Sequence, residues 1–240
     1  MGLALARQYA AEGASVGVFA RRRAELDALT AHPAGAAVYT GDVRHPEALA
    51  DAAADFIARF GVPEIVIANA GISQGAMTEH AEDLPTFRAI FDTNVLGIVN
   101  TFQPFVAAMS AARRGALVGI ASIAGFRGLP GSGAYSASKA AAITYLESLR
   151  VELRDAGVVV VTICPGYIST PMTARNPYPM PFVLTADEAA RLIVRAIGRR
   201  KRFYVLPWPM AIVGCALRML PRALYDVLFA HAPRKPRRSG

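Results

Sequence analysis

Short apolar runs alternate with longer amphipathic segments along most of the chain. The apolar runs have the length of strands and lie at residues 15–20, 36–40, 64–68, 116–121 and 158–163. Segments with helical periodicity lie before and between them, at residues 2–12, 23–30, 45–60, 84–110, 134–155 and 185–198. Strands that alternate with helices predict an α/β fold in three layers, with a doubly wound parallel sheet between two layers of helices.

Candidate redox chemistry lies at the start of the helix predicted over residues 134–155. Tyr135 and Lys139 are four residues apart, which places them on one helix face. A phenol has a pKa of about 10, and a nearby ammonium lowers it toward useful acid/base work. Only three lysines accompany 23 arginines, and Lys201 and Lys235 lie in basic runs. A lysine in an alanine-rich helix therefore indicates a specific need, although a surface lysine beside a half-buried tyrosine is the alternative.

Residues able to contact a dinucleotide follow the predicted strands, where parallel sheets bind ligands. Arg21 and Arg22 come after the run at 15–20, and Ala20 stands where NAD-binding folds place an acid. Arginine at this point suits the 2′-phosphate of NADP, although a solvated charge run is the alternative. The other candidates that follow strands are Asp42, Val43, Asn69, Ala70, Gly71, Pro165, Gly166 and Thr170.

Taken together, these motifs resemble the short-chain dehydrogenase/reductase family over residues 1–205. The resemblance implies a Rossmann-type fold in which Tyr135 is the acid/base and Ser122 orients the substrate oxygen. Lys139 would lower the pKa of the tyrosine and hold the nicotinamide ribose, and Asn94 would support a water relay behind it. A homodimer or homotetramer is also expected. The arginines after the run at 15–20 favour NADP over NAD as cofactor, and no metal site is expected.

The start of the chain departs from the family pattern. Met1 and Gly2 match only the last two positions of the family's Gly-rich turn, and Gly2 is the remaining candidate for pyrophosphate contact. The family's first strand would lie in the middle of the sheet, so we expect either a gap or a forced pairing between the strands at 15–20 and 64–68. A misassigned start or a truncated fragment would explain this departure, and a degenerate relative without cofactor binding is the alternative.

Charge and hydropathy set apart residues 206–240 as an apolar extension with a basic tail. The net charge of +8 is concentrated at residues 199–202 and 234–238, so a nucleic-acid face is not expected. The uncharged run at 203–217 is shorter than the roughly 20 residues of a membrane span. Two alternatives remain: packing over the substrate pocket or a second subunit, or lying on anionic lipid. The expected location is the cytoplasm, with the inner face of a membrane included by the second alternative.

The sequence therefore predicts an NADP(H)-dependent oxidoreductase that interconverts a carbonyl and an alcohol. The segment at 167–184 is rich in Pro, Met and aromatic residues, which favours a small lipophilic substrate under an apolar lid. The alternative function is a cofactor-free scaffold or membrane-associated protein that retains the fold.

Overall fold

The computed structural model describes residues 1–23, 36–174, 176 and 178–237. Its strands are β1 (Val16–Ala20), β2 (Ala36–Thr40), β3 (Ile65–Ala68), β4 (Ala116–Ile120), β5 (Val159–Pro165) and β6 (Phe203–Leu206). Its helices are α1 (Gly2–Ala11), α2 (Pro46–Phe60), α3 (Leu84–Phe91), α4 (Gly97–Ala111), α5 (Gly133–Glu152), α6 (Ala186–Gly198), α7 (Trp208–Met219) and α8 (Arg222–Phe229). The helix predicted at 23–30 lies outside the described residues, apart from its first position.

All strand pairs are parallel, and they form two sheets. One sheet pairs β1 with β2, and the other has the order β3-β4-β5-β6. Among the described residues no pairing joins β1 to β3, so the predicted gap between these strands is present. The strand β6 was not predicted, because the run from Phe203 continues without a polar break into an apolar helix.

The central strands β4 and β5 are buried on both faces, which explains their continuous apolar sequences. Leu117 of β4 belongs to a cluster with Phe102 of α4 and Leu146 of α5. The next residue, Val118, points the other way and packs with Ile193 of α6 in a second cluster. Helices therefore cover both faces of this sheet, as the three-layer prediction requires.

The helix predicted over residues 84–110 is divided into three parts. A π-helical turn, Asp92–Leu96, separates α3 from α4. Such turns insert an extra residue into the helix and are frequent at functional sites. Here the turn contains Asn94, which is completely buried. The sequence pattern predicted the helix but gave no sign of this insertion.

The extension forms two short helices, α7 and α8. Arg127 donates a hydrogen bond from Nη1 to the carbonyl oxygen of Leu220 at 3.1 Å, which joins the extension to the loop after β4. Trp208 and Met219 of α7 remain 72% and 77% exposed. Within the described part of the chain, no helix combines the length and apolarity needed to cross a membrane. Contact with a membrane surface and assembly into an oligomer both stay predictions.

Candidate active site

The first two turns of α5 bring Tyr135 and Lys139 together. Lys139 is only 4% exposed, and its Nζ lies 5.9 Å from the centroid of the Tyr135 ring. The same Nζ donates a hydrogen bond to the carbonyl oxygen of Ile120 at 2.8 Å. Because Ile120 is the last residue of β4, this bond attaches the lysine to the carboxyl end of a central strand. The two residues share a helix face, as their spacing predicted.

Ser122 reaches the same place from the end of β4. It precedes a 3₁₀ turn, Ile123–Gly125, and its Oγ accepts a hydrogen bond from the Ala124 N–H at 3.1 Å. Its hydroxyl is also close enough to the Tyr135 phenol to lower the pKa of that group. A Cβ on Gly125 would lie 2.7 Å from the Lys139 carbonyl carbon, so only glycine allows this turn to approach α5 so closely.

Burial dominates the electrostatics of this pair. It raises the pKa of Tyr135 above its ordinary value, and the Ser122 hydroxyl acts in the opposite direction. Burial also lowers the pKa of Lys139 to about 8, although the contact with Cys164 raises it. The direction for Tyr135 is opposite to the sequence-based expectation, because loss of hydration outweighs the stabilisation of the phenolate. At neutral pH the tyrosine is therefore a protonated phenol beside a protonated lysine.

Asn94 connects the loop after β3 to α5. Its Oδ1 accepts a hydrogen bond from the Ile72 N–H at 2.8 Å, and its Nδ2 donates to the Ile72 carbonyl and the Ser138 Oγ, both at 3.0 Å. A Cβ on Gly71 would lie 3.3 Å from the Asn94 Oδ1 and 3.5 Å from the Lys139 Nζ. The structure thus brings Asn94 and the Asn-Ala-Gly turn to Lys139.

The N-terminus of α1 lies against the same turn. A Cβ on Gly2 would lie 2.6 Å from the Asn69 Nδ2, so a larger residue here would displace the Asn69 side chain. The buried Asn69 Oδ1 has no hydrogen-bond partner among the described residues. The first N–H groups of a helix also lack intrahelical partners and favour anions. An unpartnered acceptor beside such donors fits a ligand with both hydroxyl and phosphate groups, which describes a dinucleotide.

Arg21 and Arg22 follow β1 directly and are exposed. The Nη1 of Arg21 lies 3.9 Å from the Asp42 Oδ2. Asp42 is held more closely by Arg44, which donates from Nε and Nη2 at 3.1 and 2.8 Å. These bonds, opposed in part by burial, lower the pKa of Asp42 to about 2. Arg44 was not predicted as a site residue, although it lies only two residues from the carboxylate.

Val43, which follows Asp42, and Ala70, which follows β3, are covered at least in part by neighbouring residues. Val43 is buried, and its carbonyl accepts a hydrogen bond from the Asn100 Nδ2 at 2.9 Å. A Cβ on Gly97 would lie 2.8 Å from the Val43 Cγ2, so α4 closes on this loop. Ala70 lies half-buried between Asn69 and Gly71.

The candidate residues at and after the end of β5 differ in their contacts. Pro165 is the last residue of β5 and accepts a hydrogen bond from the Ser122 Oγ at 3.4 Å. The next N–H, of Gly166, donates to the Leu206 carbonyl at 2.7 Å. Thr170 lies in a turn, where its N–H donates to the Thr173 Oγ1 at 3.0 Å. Pro165 therefore contacts Ser122, whereas the N–H groups of Gly166 and Thr170 are bonded to Leu206 and Thr173.

The C-terminal tail returns to this site, which the sequence did not predict. The Lys235 Nζ donates to the Ser73 Oγ at 2.7 Å and lies 6.0 Å from the Tyr135 ring centroid. The Gly75 N–H donates to the Pro236 carbonyl at 3.2 Å. The tail thus lies beside Ser73 and the Tyr135 ring, whereas packing of the apolar helices α7 and α8 over the substrate pocket stays a prediction. No local pattern in a basic, proline-containing tail indicates such a contact.

Comparison with known proteins agrees with this geometry. A family model described as short chain dehydrogenase matches residues 1–179. An uncharacterized oxidoreductase of Myxococcus xanthus (strain DK1622) is 39% identical over 232 residues, covering 94% of this chain and 90% of that protein.

Solved structures show the same fold. A short chain dehydrogenase from Burkholderia cenocepacia J2315 in complex with NADP superposes with a TM-score of 0.75 at 26% identity, covering 90% of this chain and 85% of that one. A short chain dehydrogenase/reductase from Burkholderia phymatum in complex with NAD gives 0.80 at 23% identity, covering 97% and 92%. The match to the family model over most of the chain and the similarity to the Myxococcus protein show that this chain belongs to the short-chain dehydrogenase family.

Proposed function

We propose that this oxidoreductase uses NADP(H) to interconvert a carbonyl and an alcohol, with Tyr135 as the acid/base. The observation that carries the proposal is the convergence of Ser122, Tyr135 and Lys139 at the carboxyl end of β4. The dinucleotide, when bound, donates or accepts the hydride. The protein residues then have to orient the substrate oxygen and move one proton.

Each polar group has a distinct part in this proposal. In the direction of reduction, the hydroxyl groups of Ser122 and Tyr135 donate hydrogen bonds to the carbonyl oxygen. As the carbon gains a hydride, the phenol proton moves to the oxygen, so the C=O π bond is replaced by one C–H and one O–H bond. The remaining phenolate is stabilised by the Lys139 ammonium. A raised phenol pKa keeps the proton on Tyr135 until the substrate oxygen becomes basic.

Asn94 is proposed as a positioning residue. Its contacts with Ile72 and Ser138 hold the loop after β3 at a constant distance from α5. The approach of Gly71 to Lys139 depends on this clamp. The water relay implied by the family resemblance would run through the same side chain.

The preference for NADP is supported by Arg21 and Arg22. Both are exposed at the end of β1, and no acid occupies position 20. The other cofactor contacts would be made by the N-terminal turn of α1, where Gly2 lies, by the loop with Asp42 and Val43, and by Asn69, Ala70, Gly71, Pro165, Gly166 and Thr170. A charge-assisted bond contributes about 1.5–3 kcal/mol, which corresponds to roughly a 10- to 150-fold preference for NADPH over NADH. Calorimetric Kd values for the two cofactors test this, and equal affinities would reject the assignment.

A lipophilic substrate is supported by the segment at 167–184. Its Tyr178 has a raised pKa because of burial, Tyr167 and the proximity of Tyr135. The two rings of Tyr167 and Tyr178 lie 6.5 Å apart between centroids. Phe182 is 54% exposed on the same segment. Aromatic side chains therefore extend from the proposed acid toward the surface, which suits an apolar substrate body.

The experiment that tests the proposed function is the replacement Tyr135→Phe. NADPH oxidation should be measured with a panel of aliphatic and aromatic ketones, together with NADPH binding by calorimetry. We expect turnover to fall by at least about a hundredfold while NADPH affinity and folding are retained, since only one hydroxyl is removed. Turnover within tenfold of the unmodified protein would reject Tyr135 as the acid. A protein that binds no NADPH would instead support the cofactor-free scaffold.

A further inference from the structure

The C-terminal tail is attached to the catalytic cleft by directional bonds. Arg237 forms a parallel bridge with Gly75, and its Nε donates to the Asp83 Oδ2 at 2.8 Å. Its Nη2 donates to the Glu82 Oε1 at 2.9 Å and to the Asp83 Oδ1 at 3.2 Å. Bidentate arginine–carboxylate pairs have a defined geometry as well as favourable energy. The tail is therefore fastened just after Lys235.

Two glycines accommodate the tail where it crosses the cleft. A Cβ on Gly75 would lie 2.7 Å from the Pro236 carbonyl oxygen, and a Cβ on Gly131 would lie 2.8 Å from the Arg234 Cβ. Gly131 also has a φ of 69°, a conformation that other residues rarely adopt. The two loops beside the proposed acid thus have surfaces shaped for the tail. The tail therefore forms one wall of the proposed active site.

Lys235 is the cation that this wall presents to the cleft. Its pKa is lowered by burial, and its Nζ lies near Ser73 and the Tyr135 ring, as described above. Among the described residues, no carboxylate lies within ion-pair distance of Lys235, whereas Arg237 in the same tail contacts two. An ammonium that loses hydration without gaining a counter-ion is unfavourable unless a ligand supplies the negative charge.

The amide beside Ser73 is a second group without a partner. The Nε2 of Gln74 is buried and has no hydrogen-bond partner among the described residues. Like the Lys235 ammonium, it is a hydrogen-bond donor, so the two groups favour the same kind of ligand. Acceptors with negative charge, such as carboxylate oxygens, match both.

We propose that Lys235 is a specificity-determining residue that binds a carboxylate on the substrate, so that the enzyme prefers amphiphilic oxo acids to neutral ketones. This inference rests on the proposed function and names the substrate class for the same site. The reacting carbonyl would lie at Tyr135 and Ser122, the carboxylate would lie at the tail, and the apolar body would lie against the segment at 167–184. A cation and an apolar surface both lie beside Tyr135, the proposed acid. A carbonyl substrate that carries both a carboxylate and an apolar chain would match them.

The test compares acids with their neutral esters. For the unmodified protein and for Lys235→Met, kcat/KM is measured with NADPH for 4-oxodecanoate and 6-oxodecanoate and for the methyl ester of each. We expect the unmodified protein to prefer at least one acid over its ester by more than tenfold. Lys235→Met should lower that ratio at least tenfold, and Lys235→Arg should restore most of it because the charge is retained. The matched control is Lys201→Met, which removes the lysine charge two residues before β6. It should leave the ratio of acid to ester unchanged.

The outcomes separate this inference from the proposed function. Reduction of the esters without any preference for the acids would support the proposed function and overturn the role of Lys235. An equal loss for acids and esters in Lys235→Met would also overturn it. Binding of decanoate and decanamide to the NADPH-saturated protein, measured by calorimetry, needs no turnover. Tighter binding of decanoate that disappears in Lys235→Met would support the anion site even if no ketone were reduced, and equal binding of the two probes would reject it.

Discussion

Replacing Lys139 by methionine should show that the buried ammonium lowers the stability of the folded protein while it supports turnover. The side chain is 4% exposed, and burial lowers its pKa from 10.5 to about 8. The ammonium is therefore less stable in the folded protein than in the unfolded chain. Each pKa unit corresponds to about 1.4 kcal/mol, so the buried charge lowers the free energy of unfolding by about 3 kcal/mol at neutral pH.

The sign of the pH dependence follows from this shift. The penalty is fully present below pH 8 and disappears as the pH rises toward 10.5, because the folded protein releases its proton first. Lys139→Met removes the penalty but leaves the Ile120 carbonyl without its donor, which costs about 1–3 kcal/mol. At pH 7 we therefore expect the variant to be as stable as the unmodified protein or up to about 2 kcal/mol more stable. Turnover should fall by more than about a hundredfold.

Urea unfolding from pH 6.5 to 9.5 measures this effect as a difference between the two proteins. We expect the stability advantage of the variant to shrink by about 2 kcal/mol over that range, whatever the hydrogen bond contributes. Taking the difference between the two proteins removes the pH dependence of stability that they share. Cys164, whose pKa is raised by burial to about 12, contributes to that shared part. Lys201→Met is the control for the loss of a lysine elsewhere in the chain, and a change of the same size in that variant would also refute the reasoning. A change below about 0.5 kcal/mol for Lys139→Met, or a loss of more than about 3 kcal/mol at pH 7, would refute the reasoning.

Substitutions at three further places test other parts of the structure. Lys139→Arg should lower kcat/KM at least a hundredfold, because the bulkier guanidinium does not fit the buried place of the ammonium, and activity within tenfold of normal would contradict this. Ala20→Asp combined with Arg21→Gln should reverse the preference for NADPH over NADH in calorimetric titrations, and an unchanged preference would indicate that the arginine is merely solvated. Thr185→Ala removes the capping box with Glu188 at the start of α6 and should lower the free energy of unfolding by about 1 kcal/mol in urea. Thr185→Ser should retain most of that stability, and equal stability of all three proteins would show that the cap contributes nothing.

The elements that could be predicted depend on short-range patterns. The continuous apolar run at 64–68 corresponds to β3, and the spacing of Tyr135 and Lys139 places both on one face of α5. The capping box at Thr185 was also readable, because its two partners lie within one helical turn. These features are determined by residues a few positions apart, and the backbone periods of helices and strands translate such spacing directly into geometry.

Other features of the same site depend on residues distant in the chain. Asn94 reaches Ser138 across 44 positions because of a π-helical turn that no local pattern marks. The pKa direction of Tyr135 was predicted from a neighbouring charge, but it is set by how completely the fold removes water. Lys235 reaches Ser73 across 162 positions, so its place beside the tyrosine was not predictable from the tail.

The sequence by itself determined the layers of the fold and the chemical groups of the site, because both follow from composition and local spacing. Only the tertiary structure decided which of those groups meet, what surrounds them and which side of the cleft the tail closes. The physical reason is that burial and contacts between distant segments depend on the packing of the whole chain, and packing also determines the hydration on which each pKa depends. Lys139 and Lys235 have the same side chain, yet one donates to the carbonyl at the end of a central strand and the other donates to Ser73 in the loop after β3.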